Sequence, residues 1–247
     1  MKTGSAFFTA VAAVVLTAGI VSADGISIVD RDDVDVDRWF TPQEAGYPGN
    51  GLWNFNGVMN FEYLSFGERF VGQEVQADGL LDQLTGTPTA PLTPAAGEDG
   101  YNLAIYEDRF NSATLQGIGT LGFPDYDALG EGALSVWFSL DQSQFLLDLE
   151  DARGVFGPTA FDITFYRRDA SIIDVISFTD FSDYYLPHGI KRDNNVADIA
   201  GFTIVATDVG GVGIDGIAYT IPAPSSLILL AGGGLFVRRH PRVVNQV

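Results

Sequence analysis

The 247-residue chain contains no cysteine, which excludes a disulfide framework, a thiolate nucleophile and any Cys-ligated zinc or iron–sulfur site. Basic residues are scarce: 13 Lys plus Arg stand against 32 Asp plus Glu. Four of them, Lys2, Arg238, Arg239 and Arg242, sit at the two ends, so residues 24–221 hold 9 basic and 32 acidic groups, a net of −23. Such a body repels phosphate backbones and anionic headgroups, which argues against a nucleic-acid partner. Histidine is limited to His188 and His240, and without a Gly-x-Ser-x-Gly elbow a Ser-His-Asp hydrolase lacks its parts. No Gly-x-Gly-x-x-Gly lies between a predicted strand and a helix, so a phosphate cradle is not expected. Carboxylates are numerous enough for some pair to reach a glycosidase-like spacing by chance, and their number carries no weight. The expectation is a non-catalytic protein, with a secreted lectin-like module or carbohydrate-active enzyme as the alternative.

Also missing between residues 24 and 221 is a sustained 3.6-residue apolar pattern; a period of two takes its place. Leu134, Val136, Phe138 and Leu140 alternate with smaller or polar neighbours, and Phe161, Ile163 and Phe165 do the same, each predicting a strand with one buried face. Ser171–Phe178 returns after the polar Arg167-Arg168-Asp169-Ala170 to make a hairpin. Phe202–Ala206 with Val212–Tyr219 reads as a second hairpin. Arg69–Gln76 and Tyr101–Tyr106 are further strands, and Gln144–Asp151 suits either a short helix or a strand. Many short strands, 29 glycines and no crossover helices predict an all-β, antiparallel β-sandwich, jelly-roll-like, over residues 24–220.

The two ends read as labels flanking that body. Lys2 precedes an uncharged apolar run, Ala6–Val21, and Val21-Ser22-Ala23 offers small residues for a cut between Ala23 and Asp24, so residues 1–23 are expected to be a secretory signal helix. Residues 221–247 hold Ile221-Pro222-Ala223-Pro224-Ser225-Ser226, a Leu/Gly-rich run to Val237, and then Arg238-Arg239-His240-Pro241-Arg242. The prolines cannot give an N–H to a sheet ladder. The uncharged run from Ser225 to Val237 spans about 20 Å as a helix, against a ~30 Å hydrocarbon core. Arginines stay cytoplasmic, which puts the acidic body outside.

This tail resembles the PEP-CTERM sorting tail of bacterial exported proteins: Pro222 and Pro224 match the motif's prolines, Ser225 and Ser226 the small residues after it, and Arg238 with Arg239 the basic stop. Ala223 stands where the motif carries glutamate. Parts of the body are similar to the ectodomains of that family, namely Phe66-Gly67-Glu68-Arg69-Phe70, Gly130-Glu131-Gly132-Ala133, Ile199–Ile204 and Gly213-Ile214-Asp215. The resemblance implies an exosortase-type protease as partner, membrane contact through the C-terminal segment, and a cell-surface or extracellular-matrix location beside exopolysaccharide.

Within the body, Asp33, Asp35 and Asp37 lie two apart and in an extended chain would share a face, which makes them the candidate Ca²⁺ ligands; Asp215 is a further one. Trp39, Tyr47 and Trp53, in a Gly/Asn-rich stretch, are the candidate glycan contacts, because sugars stack their C–H faces on aromatic rings. A net charge of −23 restricts the glycan to a neutral one, or to an acidic one bridged by cations. His188, between Pro187 and Gly189, is expected to be a polar loop group.

Overall fold

The structure is a computed structural model that describes residues 24–42, 52–79, 81–97, 102–107, 113–118, 129–151, 159–181, 188–208 and 211–221. The signal helix and the apolar tail helix predicted above fall in residues 1–23 and 222–247, outside the described residues. Among the described residues nineteen strands follow one another. They are β1 (Ile26–Val29), β2 (Arg38–Phe40), β3 (Leu52–Phe55), β4 (Met59–Asn60), β5 (Leu64–Gly67), β6 (Arg69–Phe70) and β7 (Gln73–Asp78). Next come β8 (Leu81–Gly86), β9 (Pro94–Ala95), β10 (Leu103–Glu107), β11 (Ala113–Ile118), β12 (Leu129–Gly132) and β13 (Leu134–Gln142). The last are β14 (Gln144–Asp151), β15 (Thr159–Tyr166), β16 (Ile172–Phe181), β17 (His188–Arg192), β18 (Ile199–Ala206) and β19 (Val212–Tyr219). Arg31–Asp33 forms a 3₁₀ turn, and none of the described residues form a helix long and apolar enough to cross a membrane.

The strands form two main antiparallel sheets. One has nine strands, in the order β1-β17-β14-β19-β11-β10-β3, with β12 beside β11 and β2 beside β19; the other has six, β16-β15-β18-β13-β5-β4. Between them lies one apolar core. Phe145, Leu147 and Leu149 of β14 enter from the nine-stranded side, and Phe138, Phe165 and Phe202 from the six-stranded side. Phe145 stacks on Phe202 at 5.4 Å between ring centroids, and Phe138 lies 5.1 Å from Phe145. Each such ring contributes about 2–3 kcal/mol by leaving water, and the offset contacts fix how one sheet sits on the other. The all-β sandwich expected from the alternating pattern is what forms.

Three local expectations change. Arg69–Gln76 is broken into β6 and β7 at Val71-Gly72, where Gly72 takes φ +96°, a conformation that side chains with a Cβ rarely adopt. Gln144–Asp151 is a strand: Leu146, the residue that blurred its period, faces outward but is covered by Val34, Val36 and Trp39. Most significantly, β18 and β19 are not a hairpin. β18 pairs with β13 and β15, while β19 pairs with β14, β11 and β2. Alternation says which side chains face inward, not which strand lies alongside. The link from Thr207 to Gly211 is long enough to cross the ~10 Å between sheets.

The sheets are locked at one corner by Arg192, whose side chain is fully buried. Its Nε donates to Asp198 Oδ1 at 2.7 Å, Nη1 to the carbonyls of Asp24 and Gly25, the latter at 2.8 Å, and Nη2 to Asp24 Oδ1 at 2.6 Å and Asp198 Oδ2 at 3.2 Å. All five guanidinium donors are thereby used. Burial would lower the pKa of Arg192, but the hydrogen bonds and charges of Asp198 and Asp24 raise it above its ordinary value. Arg167, after β15, joins the same two carboxylates at 3.0 and 3.2 Å. Arg192→Ala is expected to cost about 2–3 kcal/mol, because the carboxylates left behind keep contact with water. Arg192→Lys should recover little of that, because an ammonium cannot span the acceptors of a planar fork. Urea unfolding of the full chain measures both; a Lys variant as stable as the wild type would refute the fork argument.

Candidate functional site

Each sheet has an outer face, and the two are covered differently. Over the six-stranded sheet stands the β7–β8 hairpin, and beneath it opens a cleft of about 520 Å³. Its floor is set by register: Asp162 and Thr164 of β15 lie beside Val205 and Thr203 of β18, and on the other side beside Ser177 and Val175 of β16. These are the outward positions of β15, alternating with the core residues Phe161, Ile163 and Phe165. At the cleft's inner end Tyr166 is buried; its hydroxyl accepts from Gln73 Nε2 at 3.2 Å, while Gln73 Oε1 accepts from the Phe70 N–H at 2.9 Å. The cleft therefore rests on a fixed end, with hydroxyls and one carboxylate along its floor and aliphatic groups at its mouth, where Ile172 is 54% and Val175 49% exposed.

Over the nine-stranded sheet the cover is tight. Residues 30–37 run across it before β2 joins it beside β19, with Val34 buried on Leu146 and Ala218. The Trp39 ring lies on Gly216, where a Cβ would come within 2.6 Å of it. Beside them Asp148, paired with Gly216 in the ladder, is 9% exposed. Burial first, and then the nearby charge of Asp215, push its pKa up to about 6; Arg31 opposes the shift.

The sequence-predicted residues fall around this second face. Asp33, Asp35 and Asp37 are exposed because Val34 and Val36 between them turn inward. Asp33 closes the 3₁₀ turn, its N–H donating to the Asp30 carbonyl at 3.0 Å, so the three do not form a single extended row. Asp37 Oδ2 accepts from the Ile221 N–H at 3.2 Å, and the Asp35 carbonyl from Gln144 Nε2 at 2.9 Å. Among the described residues no three His, Asp or Glu side chains are grouped to hold a metal ion. Trp39 pairs with Ala218 on the outer face, whereas Trp53 pairs with Ile105 and packs on the core with Phe55 at 4.5 Å. The two rings thus occupy opposite faces of one sheet and make no common platform. Tyr47, Ala23, Pro222, Pro224, Ser225, Arg238 and Arg239 lie outside the described residues. Asp24 is the residue held by Arg192, whose hydrogen bond keeps the Asp24 carboxyl below its ordinary pKa.

Two features escaped the sequence reading. His188 opens β17 rather than sitting in a loop, half-buried with its ring 6.0 and 5.7 Å from Phe178 and Phe181. The cleft residues were readable as outward positions of strands, but the hairpin that roofs them was not. Compared with known families, with curated proteins and with solved structures, the chain matches none.

Asp148 gives a pH prediction. Its pKa is higher folded than unfolded, so the folded state binds the proton more tightly and stability falls as pH rises from about 4 to about 6. The loss at neutral pH is on the order of 2–3 kcal/mol. Asp148→Asn should remove this slope and raise the unfolding midpoint at pH 7 above that of the wild type, with little difference at pH 4; parallel pH profiles would refute the assignment.

Proposed function

We propose that this chain is a non-catalytic exported protein of the cell surface or extracellular matrix, delivered by residues 1–23, handled through a PEP-CTERM-like tail at 221–247, and associated with extracellular polysaccharide. The observation that supports this reading is that the sandwich is held at both edges of the acidic body. Asp24 is tied into the fold by Arg192, and Ile221 by Asp37. Both anchors fall at the boundaries read from the sequence between the acidic body and its apolar ends. Among the described residues, those from 26 to 221 supply a core of their own.

The body itself reads further as a jelly roll. Eight strands, β11 and β13 to β19, take the orders β17-β14-β19-β11 and β16-β15-β18-β13, and the chain crosses repeatedly between the sheets. That order supports two interleaved Greek keys. Such a sandwich presents a sheet face to a ligand without requiring any catalytic group, and the open cleft favours binding as its molecular role.

Intact-mass analysis of the protein from its native matrix fraction tests the export reading. The expected species begins at Asp24 and lacks most of residues 225–247, and it reverts to the longer form in cells without the sorting protease. A mature species that retains Val247 would defeat the tail reading; one that retains Met1 would defeat the signal reading.

A further inference from the structure

We propose that the cleft under the β7–β8 hairpin binds a short segment of neutral polysaccharide, with Asp162 as the central acceptor. This deepens the matrix-association reading and rests on it. The chemistry is argued from what lines the cleft. Among its described residues there is no Lys, Arg or His and a single carboxylate, Asp162, on a chain of net charge −19. An anionic ligand is therefore repelled locally and at long range. One carboxylate is too few oxygens for a divalent cation, which takes six or more. A wholly apolar ligand would cover Asp162 and the Thr164 hydroxyl without partners, at several kcal/mol by desolvation alone in the apolar limit.

An added peptide strand is also disfavoured. β15 is flanked by β16 and β18, and β18 by β15 and β13, so the floor is the face of a sheet whose backbone groups are spent in its own ladders. A ligand on that floor meets side chains, whereas strand addition requires a free edge, which among the described lining strands only β16 and the β7–β8 hairpin carry, away from Asp162 and Thr164. What fits is an uncharged frame with dense hydroxyls on its edges and C–H groups on its faces. Asp162 is half-buried, and its two oxygens suit a pair of adjacent sugar hydroxyls. Thr164, in the same outward row as Asp162, both gives and accepts, while its neighbour Thr203 is 2% exposed and closes the floor beside it. Ile172 and Val175 at the mouth offer aliphatic surface to a sugar ring. The volume, about 520 Å³, lies within the range of small-ligand sites.

Calorimetric titration of the full chain with cellohexaose, mannohexaose, an α-1,6-linked glucan hexamer and oligogalacturonate tests the proposal. At least one neutral oligomer is expected to bind and the oligogalacturonate not. Asp162→Asn should weaken binding at least tenfold and Thr164→Val several-fold, with unfolding midpoints unchanged and Val196→Ala, at a remote exposed site, serving as control. Wild-type affinity in both cleft variants overturns the proposal. If binding is instead lost on Trp39→Ala or Trp53→Ala, glycan association stands but the cleft does not. Absence of binding by all three neutral oligomers overturns the cleft proposal while the mature mass still decides the export reading.

Discussion

One guanidinium group organises a corner of this fold. Arg192 joins pieces of chain as far as 168 residues apart: the lead into β1, the end of β17 and the start of β18, with Arg167 adding the turn between β15 and β16. A charge so deeply buried is tolerable only when every donor is matched, and here each is. Neighbouring contacts tighten the same corner: the Ile26 N–H donates to Asp174 Oδ2 at 2.9 Å, and the Ser27 hydroxyl to Asp193 at 2.5 Å. An edge strand of four residues, which would fray by itself, is thereby tied to both sheets. The polar corner does for orientation what the phenylalanine cluster, which is apolar and non-directional, cannot.

The two outer faces divide the remaining work. Over the nine-stranded sheet, residues 30–40 press Val34 and the Trp39 ring against Leu146, Ala218 and Gly216, leaving Asp148 little contact with water. Over the six-stranded sheet, the hairpin touches its support through Gln73 and Tyr166 but leaves space along the floor. One cover is a seal and the other an awning. On the first face small and aliphatic residues meet a tryptophan and Asp148 is covered with them, at the cost seen in its raised pKa; on the second, hydroxyls and a carboxylate line a floor left open.

The sandwich class was legible because Leu134–Leu140 and Phe161–Phe165 alternate over full strand lengths, a pattern helices cannot use. Pairing was not legible. Phe202–Ala206 and Val212–Tyr219 are adjacent in sequence and alike in composition, yet long-range contacts send them to different sheets. Of the candidate site residues, the acidic run was correctly seen as polar, but its geometry depends on Val34 and Val36, whose inward turn follows from a surface supplied over a hundred residues later by Leu146 and Ala218. Trp39 and Trp53 look equivalent in a string of letters and differ only through their strand partners. Asp162 and Thr164 were visible as an outward row, but no local signal announces a roof contributed by residues 73–86.

The passage from β13 to β14 takes a single residue, Ser143, although the two strands belong to different sheets. The neighbouring Gln142 is buried and braces the bend, its amide joined to the Leu140 carbonyl and to both the backbone and the hydroxyl of Thr220. With so little slack, the parity of the chain at this point is fixed. Adding or deleting one residue would turn β14 half a revolution, sending Asp148 and Glu150 toward the phenylalanines and Leu147 and Leu149 toward the exterior. Length changes that natural variants of this chain accumulate should therefore spare this elbow and collect in the longer connections.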